Sequence, residues 1–511
     1  MRILIGIDVG TSGLKTIAID ADSGKLVASA SRDYPLSTPR AGWAEQDPED
    51  FVKAAFAALR EITSALGGRA SHVAGVGLTG QMHSAVLLDG DLAVVRPAIL
   101  WCDVRTTAEC RAIHDELGDA GLARAVGNRA LEGFTLPKLL WVRAHEPEAW
   151  ARVRTVLMPK DLVGLRLTGE LGADVSDASG TLAFDPRTRT WSDEVLSAFG
   201  LSRSLFPTSG ESSDVLGRVS GEAASATGLP QGTLVARGAA DNAAGAVGLG
   251  VVRTGRAMAS VGTSGVVLAH TDDYVVEPEM RLHSFCHAVP GRYYLMGVML
   301  SAGGALRWYR DVLCDGEKMA AELRKVDPYE IVTDAASTAK PGAGGVVFLP
   351  YLMGERTPHN DAAARGCFVG ISATTTKADL SRAVLEGITY GLRDSLDLMR
   401  ELGGATGASE IRLTGGGAKS IFWRQLMADV FEAEVAITTS TEGPAFGAAI
   451  LAGAAAGAFA SVEEGADALV HVTSRVAPNT ALSGRYREAH AAYGALYRNL
   501  KGTFPQLARL E

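Results

Sequence analysis

The stretch Ile3-Leu4-Ile5-Gly6-Ile7-Asp8-Val9-Gly10-Thr11-Ser12-Gly13-Leu14-Lys15-Thr16-Ile17-Ala18-Ile19-Asp20 decides the fold. It reads as an apolar strand, a glycine-rich turn and a second apolar strand. β-Branched residues fill both arms, and Gly10 to Gly13 are turn formers that tolerate unusual backbone angles. An ordinary hairpin tip needs neither a carboxylate where the strand ends nor a cluster of hydroxyls and a lysine. This tip presents backbone N–H groups, the Thr11 and Ser12 hydroxyls and the Lys15 cation to an anion, with Asp8 placed to hold a metal beside it. That is the inventory of a nucleotide-phosphate site. For the stretch taken alone, a decorated hairpin without a ligand stands as the alternative.

Val9-Gly10-Thr11-Ser12-Gly13 recurs identically as Val261-Gly262-Thr263-Ser264-Gly265. Each copy follows an apolar strand and precedes another, the second running from Val266 to Ala269. The shared context points to duplication rather than coincidence. Two halves with matching hairpins would clamp one polyphosphate between them. The copies differ where chemistry should differ: Ser260 stands in place of Asp8 and Val267 in place of Lys15. Metal-linked carboxylate and cation are therefore expected in the first half only.

With 511 residues the chain is too long for one compact core, and about two to four domains are expected. A hydrophobic content of 47% with 21% charged residues is that of a soluble globular protein. The net charge of −9 argues against nucleic acid or an anionic membrane as the main partner. The five cysteines are odd in number and scattered without a CxxC pair, as expected of free thiols in a reducing cytosol. Asp8 interrupts the N-terminal apolar run before a signal segment could form. The uncharged run from Gly443 to Ser461 is rich in glycine and alanine, which reads as a closely packed internal helix rather than a membrane span. A cytoplasmic location is the resulting expectation.

Along the chain, Asp47-Pro48-Glu49-Asp50 is a helix start, with Asp47 as cap and Pro48 in the first turn. A buried strand from Val73 to Leu78 breaks at Thr79-Gly80-Gln81-Met82-His83, where α/β proteins place ligand contacts. His83 reads equally as a ligand contact or as a satisfied structural histidine. Asp103 and Arg105 are expected to pair with each other. Phe134 to Trp141 and Met158-Pro159-Lys160-Asp161 read as helix and connection, with no assigned role. A strand from Leu234 to Ala236 leads to Asp241-Asn242, which opens a helix of very small residues. Asp241 is there either an N-cap or a catalytic carboxylate. His283 and His287, four apart, would share one helical face, but no further ligand set appears, so structural use is expected. Ile411 to Thr414 reads as a strand, and Gly415-Gly416-Gly417 as bare backbone on which a ring or a phosphate can lie.

Together these features resemble the FGGY carbohydrate kinases of the actin-like ATPase superfamily, and the resemblance runs through nearly the whole chain. It includes Gly6 to Gly13, Gly42-Trp43-Ala44-Glu45-Gln46-Asp47-Pro48, Gly80 to His83 and Pro97 to Trp101. It continues through Asp241 to Gly248, His283 to His287, Gly354-Glu355-Arg356-Thr357-Pro358-His359-Asn360 and Gly415 to Gly417. The resemblance implies an α/β fold of two ribonuclease H-like domains, actin-like ATPase in type, flanking a central cleft. The expected division is 1–247, holding the sugar pocket, first hairpin and catalytic Asp, and 248–511, holding the second hairpin and the adenosine site. The resemblance also implies roles. Asp241 would be the catalytic base, with Met82, His83 and Asn242 in the sugar pocket. Asp8 would act through Mg²⁺, and Thr11, Ser12, Lys15, Gly262 and Thr263 would lie near the phosphates of ATP, with Gly416 and Gly417 by the adenosine.

The Gln81-Met82-His83 run sides with the xylulose kinase-like members rather than the glycerol kinase-like ones. It implies ATP-dependent phosphorylation of a pentulose, D-xylulose, to its 5-phosphate. Ribulose, fuculose, gluconate and glycerol remain alternative acceptors, and a nucleotide clamp like actin or the heat-shock chaperones is the non-enzymatic alternative. One departure is visible: Ala239 and Ala240 stand where the family often has glycines. Oligomeric state is open, a homodimer included.

Overall fold

The computed structural model describes residues 2–403, 408–440 and 442–510. The opening stretch folds as read, with β1 (Ile3–Val9) and β2 (Gly13–Asp20) antiparallel and Asp8 opposite Lys15. β3 (Leu26–Asp33) continues the sheet beside β2. α1 (Pro48–Leu66) starts where its signals lie, and the Asp47 side chain accepts from the Glu49 N–H at 3.0 Å. On the other side of β1 runs β4 (Val73–Gly80), parallel, with Asp8 opposite Thr79. After α2 (Pro159–Thr168) come β5 (Val215–Arg218) and β6 (Leu234–Ala236). The strand order is β5-β6-β4-β1-β2-β3, and Ala239 and Ala240 also pair with the end of β4. β1 is apolar on both faces because helices cover both sides of the sheet.

The second half repeats the frame. α3 (Asp241–Gly248) leads into the hairpin β7 (Arg256–Val261) and β8 (Gly265–Thr271). β9 (His283–Cys286), β10 (Tyr293–Met299) and α4 (Gly303–Leu313) follow, then β11 (Glu410–Gly415) and α5 (Ile421–Phe431). β12 (Glu434–Thr438), α6 (Pro444–Ala455) and β13 (Val472–Val476) complete it. The order β13-β12-β11-β7-β8-β10-β9 again sets a glycine-tipped hairpin beside parallel strands and closes with an antiparallel edge. The duplication read from five identical residues thus extends to sheet topology.

α6 joins the halves. It comes from the second half yet lies on β1 and β4 of the first sheet, and it packs against α3. Glycines permit the approach. A Cβ on Gly6 would overlap the Ala445 carbonyl, one on Gly77 the Ala448 carbonyl, and one on Gly447 the Ala244 carbonyl of α3. The uncharged run is therefore an internal helix as expected, though the helix ends at Ala455 rather than continuing to Ser461. Among the described residues no helix is long and apolar enough to cross a membrane.

Candidate active site

Three strand ends meet at the cleft. Asp8 sits at the end of β1, Gly80 at the end of β4, and Ala239-Ala240 pair with Thr79 and Gly80 on the far side of β4. Asp241, heading α3, is thereby brought to the same edge as Asp8, at the carboxyl ends of adjacent parallel strands where α/β folds bind ligands. Burial, and then the nearness of Asp241, push the Asp8 carboxyl up to about 7 against the opposing pull of Lys15. Asp8 Oδ1 is buried without a hydrogen-bond partner. An orphaned carboxylate oxygen beside a second carboxylate fits a divalent cation. Among the described residues no three His, Cys, Asp or Glu side chains converge to hold one alone. A pair of carboxylates is what Mg²⁺ takes when phosphates and water complete its shell.

Burial pushes Asp241 up to about 6 although Asn242 opposes it. Asp241 Oδ1 accepts from the Asn242 backbone N–H at 2.7 Å and from its side-chain Nδ2 at 2.9 Å. Oδ2 is left for another donor. Asn242 Nδ2 also approaches Met82 Sδ at 3.8 Å, so Met82, Asn242 and Asp241 form one wall.

His83 adjoins them in the left-handed backbone region, φ 69°, which non-glycine residues enter uncommonly and histidine more readily than most. Its ring packs 4.7 Å from Phe134 and 6.2 Å from Phe285, and Nδ1 lies 2.5 Å from the Gly180 carbonyl. A carbonyl only accepts, so Nδ1 carries the proton and Nε2 is an acceptor. Burial keeps the ring neutral, lowering its pKa to about 3. Gln81 has a different task. Its Nε2 donates to the Gly10 carbonyl at 3.3 Å, while Gln46 Nε2 donates to the Thr11 carbonyl at 2.8 Å, so together they brace the first tip.

On the second sheet a cavity of about 580 Å³ opens at the matching strand ends. Val261 pairs with Gly265 and with Gly415, so Gly416-Gly417 leave β11 where Gln81-Met82 leave β4. Gly262, Thr263, Gly416 and Gly417 all line this cavity. The Gly262 and Thr263 carbonyls accept from the Gly303 and Gly304 N–H groups at 2.8 and 2.9 Å, which seats the start of α4 on the tip. Thr11, Ser12 and Lys15 belong to the first sheet and do not line the cavity. Lys15 Nζ lies 2.7 Å from Glu442, just before α6.

Two family models match, describing the N-terminal domain of the FGGY family of carbohydrate kinases over residues 3–248 and its C-terminal domain over 257–456. The chain belongs to the FGGY family of carbohydrate kinases. A Klebsiella pneumoniae protein named Xylulose kinase is 45% identical over 451 residues, covering 88% of this chain and 89% of that protein. The solved xylulose kinase from Rhodospirillum rubrum superposes with a TM-score of 0.91 at 31% identity, covering 98% of this chain and 100% of that one. A gluconate kinase from Lactobacillus acidophilus superposes with a TM-score of 0.92 at 27% identity, covering 99% of both chains.

In this FGGY kinase some features depart from sequence expectation. His283 to Cys286 form a strand, β9, not a helical turn. His283 Nδ1 pairs with Asn128 Oδ1 at 3.0 Å and His287 Nδ1 accepts from the Val289 N–H at 3.1 Å, so both are structural, as expected. Asp103 and Arg105 do pair, at 2.7 Å. The second tip was expected to lack a cation. Arg307, one turn into α4, supplies one: its Nη2 donates to Thr263 Oγ1 at 3.1 Å at the cavity wall. Tyr329, Ile421 and Phe422 also line the cavity and went unremarked in the sequence. No local motif marks them: Tyr329 comes from the helix Pro328–Thr338, and Ile421 and Phe422 open α5.

Proposed function

We propose that this sugar kinase transfers the γ-phosphoryl group of MgATP to the C5 hydroxyl of D-xylulose. The observation that carries the reading is the meeting of Asp8, at the end of β1, with Asp241, at the head of α3, on either side of the end of β4, with Met82, His83 and Asn242 beside them. The names of the relatives support the choice of D-xylulose. The cavity of the second sheet takes the nucleotide, with Gly262 and Thr263 at the phosphates and Gly416 and Gly417 by the adenosine. Thr11, Ser12 and Lys15 face the phosphates from the first sheet. The division falls at 247/248, so that the acceptor site and catalytic base belong to 1–247 and the nucleotide cavity to 248–511. The enzyme acts in the cytoplasm.

Phosphoryl transfer asks the protein mainly for positioning and neutralisation of charge. Asn242 occupies Asp241 Oδ1, so Oδ2 accepts the C5 hydroxyl proton as that oxygen attacks the γ-phosphorus in line. His83 Nε2 accepts a hydrogen bond from another sugar hydroxyl, which fixes the ketose relative to the base. Asp8 would hold the Mg²⁺, whose charge offsets that of the phosphates. Closure of the two halves about α3 and α6 would exclude water, which otherwise competes with the sugar for the phosphoryl group.

Arg307→Ala is expected to raise the KM for ATP about tenfold, the scale of one charge-assisted hydrogen bond. Its kcat should stay within about threefold of the unaltered enzyme, since Arg307 lies away from the base; steady-state ADP release at varied ATP checks this. A panel of D-xylulose, ribulose, fuculose, gluconate and glycerol in the same assay tests the acceptor. D-Xylulose is expected to give the highest kcat/KM. A higher value for any other acceptor overturns the choice of sugar, and ATP turnover indifferent to every acceptor overturns the kinase reading.

A further inference from the structure

Met158-Pro159-Lys160-Asp161 has no role in the site as described, yet Lys160 lies directly behind it. Its side chain is completely buried, as are Asp174, Ser176 and Asp177. Lys160 Nζ is 2.5 Å from Asp161, 2.8 Å from Asp174 and 3.7 Å from Asp177, and it donates to the Arg237 carbonyl at 3.4 Å. Asp174 Oδ2 accepts from the Ser176 hydroxyl at 2.5 Å and from the Ser212 hydroxyl at 2.9 Å. The Ser176 hydroxyl oxygen in turn accepts the Ala240 backbone N–H at 3.0 Å. The Gly238 N–H donates to the Ser212 carbonyl at 3.0 Å. Of the four residues leading to Asp241, Arg237, Gly238 and Ala240 are therefore bound to this cluster.

The same cluster reaches the sugar side. A Cβ on Gly80 would lie 3.3 Å from Lys160 Cβ, so the lysine stem packs against the end of β4 that carries Met82 and His83. The segment that holds Asp174 and Ser176 ends at Gly180, whose carbonyl receives His83 Nδ1. Burial works against the Lys160 charge, but Asp161, Asp174 and Asp177 outweigh it and raise its pKa, so the ammonium persists. A fixed buried cation flanked by fixed carboxylates has no freedom to drift, and the loop tied to it inherits that rigidity.

We infer that Lys160, Asp174 and Ser176 form a positioning relay that sets the backbone of Asp241 relative to the strand end carrying Met82 and His83. The relay touches neither sugar nor nucleotide. It acts by holding the base within reach of the C5 hydroxyl, where a displacement of about 1 Å can cost about a hundredfold in rate. This inference rests on the reading of Asp241 as general base.

Removing Lys160 itself would strand buried carboxylates and endanger folding, so the decisive variant is Ser176→Ala, which deletes only the hydroxyl joining Asp174 to Ala240. Steady-state kinetics with D-xylulose and ATP are compared for the unaltered enzyme, Ser176→Ala and Asp241→Asn, with each rate expressed per folded molecule. Ser176→Ala is expected to lower kcat about tenfold while both KM values stay within about twofold. A purely structural residue would leave kcat per folded molecule intact. If kcat of Ser176→Ala stays within about twofold of the unaltered enzyme, if the loss lies in KM, or if the chain fails to fold, the relay is overturned. Retained turnover in Asp241→Asn overturns the base assignment instead, which separates the two failures.

Discussion

Asp241→Ala is expected to lose at least about a hundredfold in kcat, the low end for a general base, with its fold and its affinity for ATP retained. Asp241 begins α3, but its side chain does not cap the helix. It accepts from the Asn242 N–H and side chain, which directs one oxygen away from the backbone. Burial raises its pKa to about 6. Below that value the carboxyl carries a proton and cannot take another, so kcat/KM should fall about tenfold per pH unit on the acid side and level off above. Rate measurements from pH 5 to 8 check the limb. Near-normal turnover by correctly folded Asp241→Ala would remove the base from the account.

Asp8→Asn comes second in expected effect, with about a hundredfold lower kcat and a higher Mg²⁺ concentration for half-maximal rate. The shape is kept while the charge and one acceptor oxygen are lost, so the effect reports on the carboxylate rather than on packing. Stability should not suffer. The folded pKa of about 7 lies above the ordinary carboxylate value of 3.8, so the ionised form is disfavoured in the folded state at neutral pH, and a neutral amide relieves that strain. An unfolding midpoint equal to or above that of the unaltered enzyme is expected. Magnesium titrations of the rate provide the check, and an unchanged Mg²⁺ requirement would exclude Asp8 as the metal-linked carboxylate.

Much of the frame was legible because it is encoded locally. β-Branched arms and a literal repeat of Val9 to Gly13 mark both hairpins, and Asp47-Pro48 marks a helix start. Strand ends that break into Gly80-Gln81-Met82-His83 and Gly415-Gly416-Gly417 mark ligand edges. The register then shows why these two motifs correspond: each leaves the strand beside its hairpin, at matching positions in the two sheets. Features that depend on distant chain segments were not legible. Arg307 reaches Thr263 across 44 residues, and an arginine in an amphipathic helix carries no local sign of that contact. Lys160 is separated from Arg237 by 77 residues, and only the fold shows that its charge is buried among three acids. The glycine- and alanine-rich run from Gly443 read as a closely packed internal helix, but nothing local said that it packs on β1 and β4 of the other half. His283 to His287 is too short a run for spacing to tell helix from strand, and the pairing of β9 with β10 decides it.

The most direct measurement of the central claim is the position of the phosphate on the product. D-Xylulose and MgATP incubated with the enzyme are to be followed by phosphorus–proton NMR. One new phosphate ester is expected, its phosphorus coupled to the C5 methylene protons, formed in step with ADP. An ester at any other carbon, or ADP formed with no sugar phosphate, would contradict it.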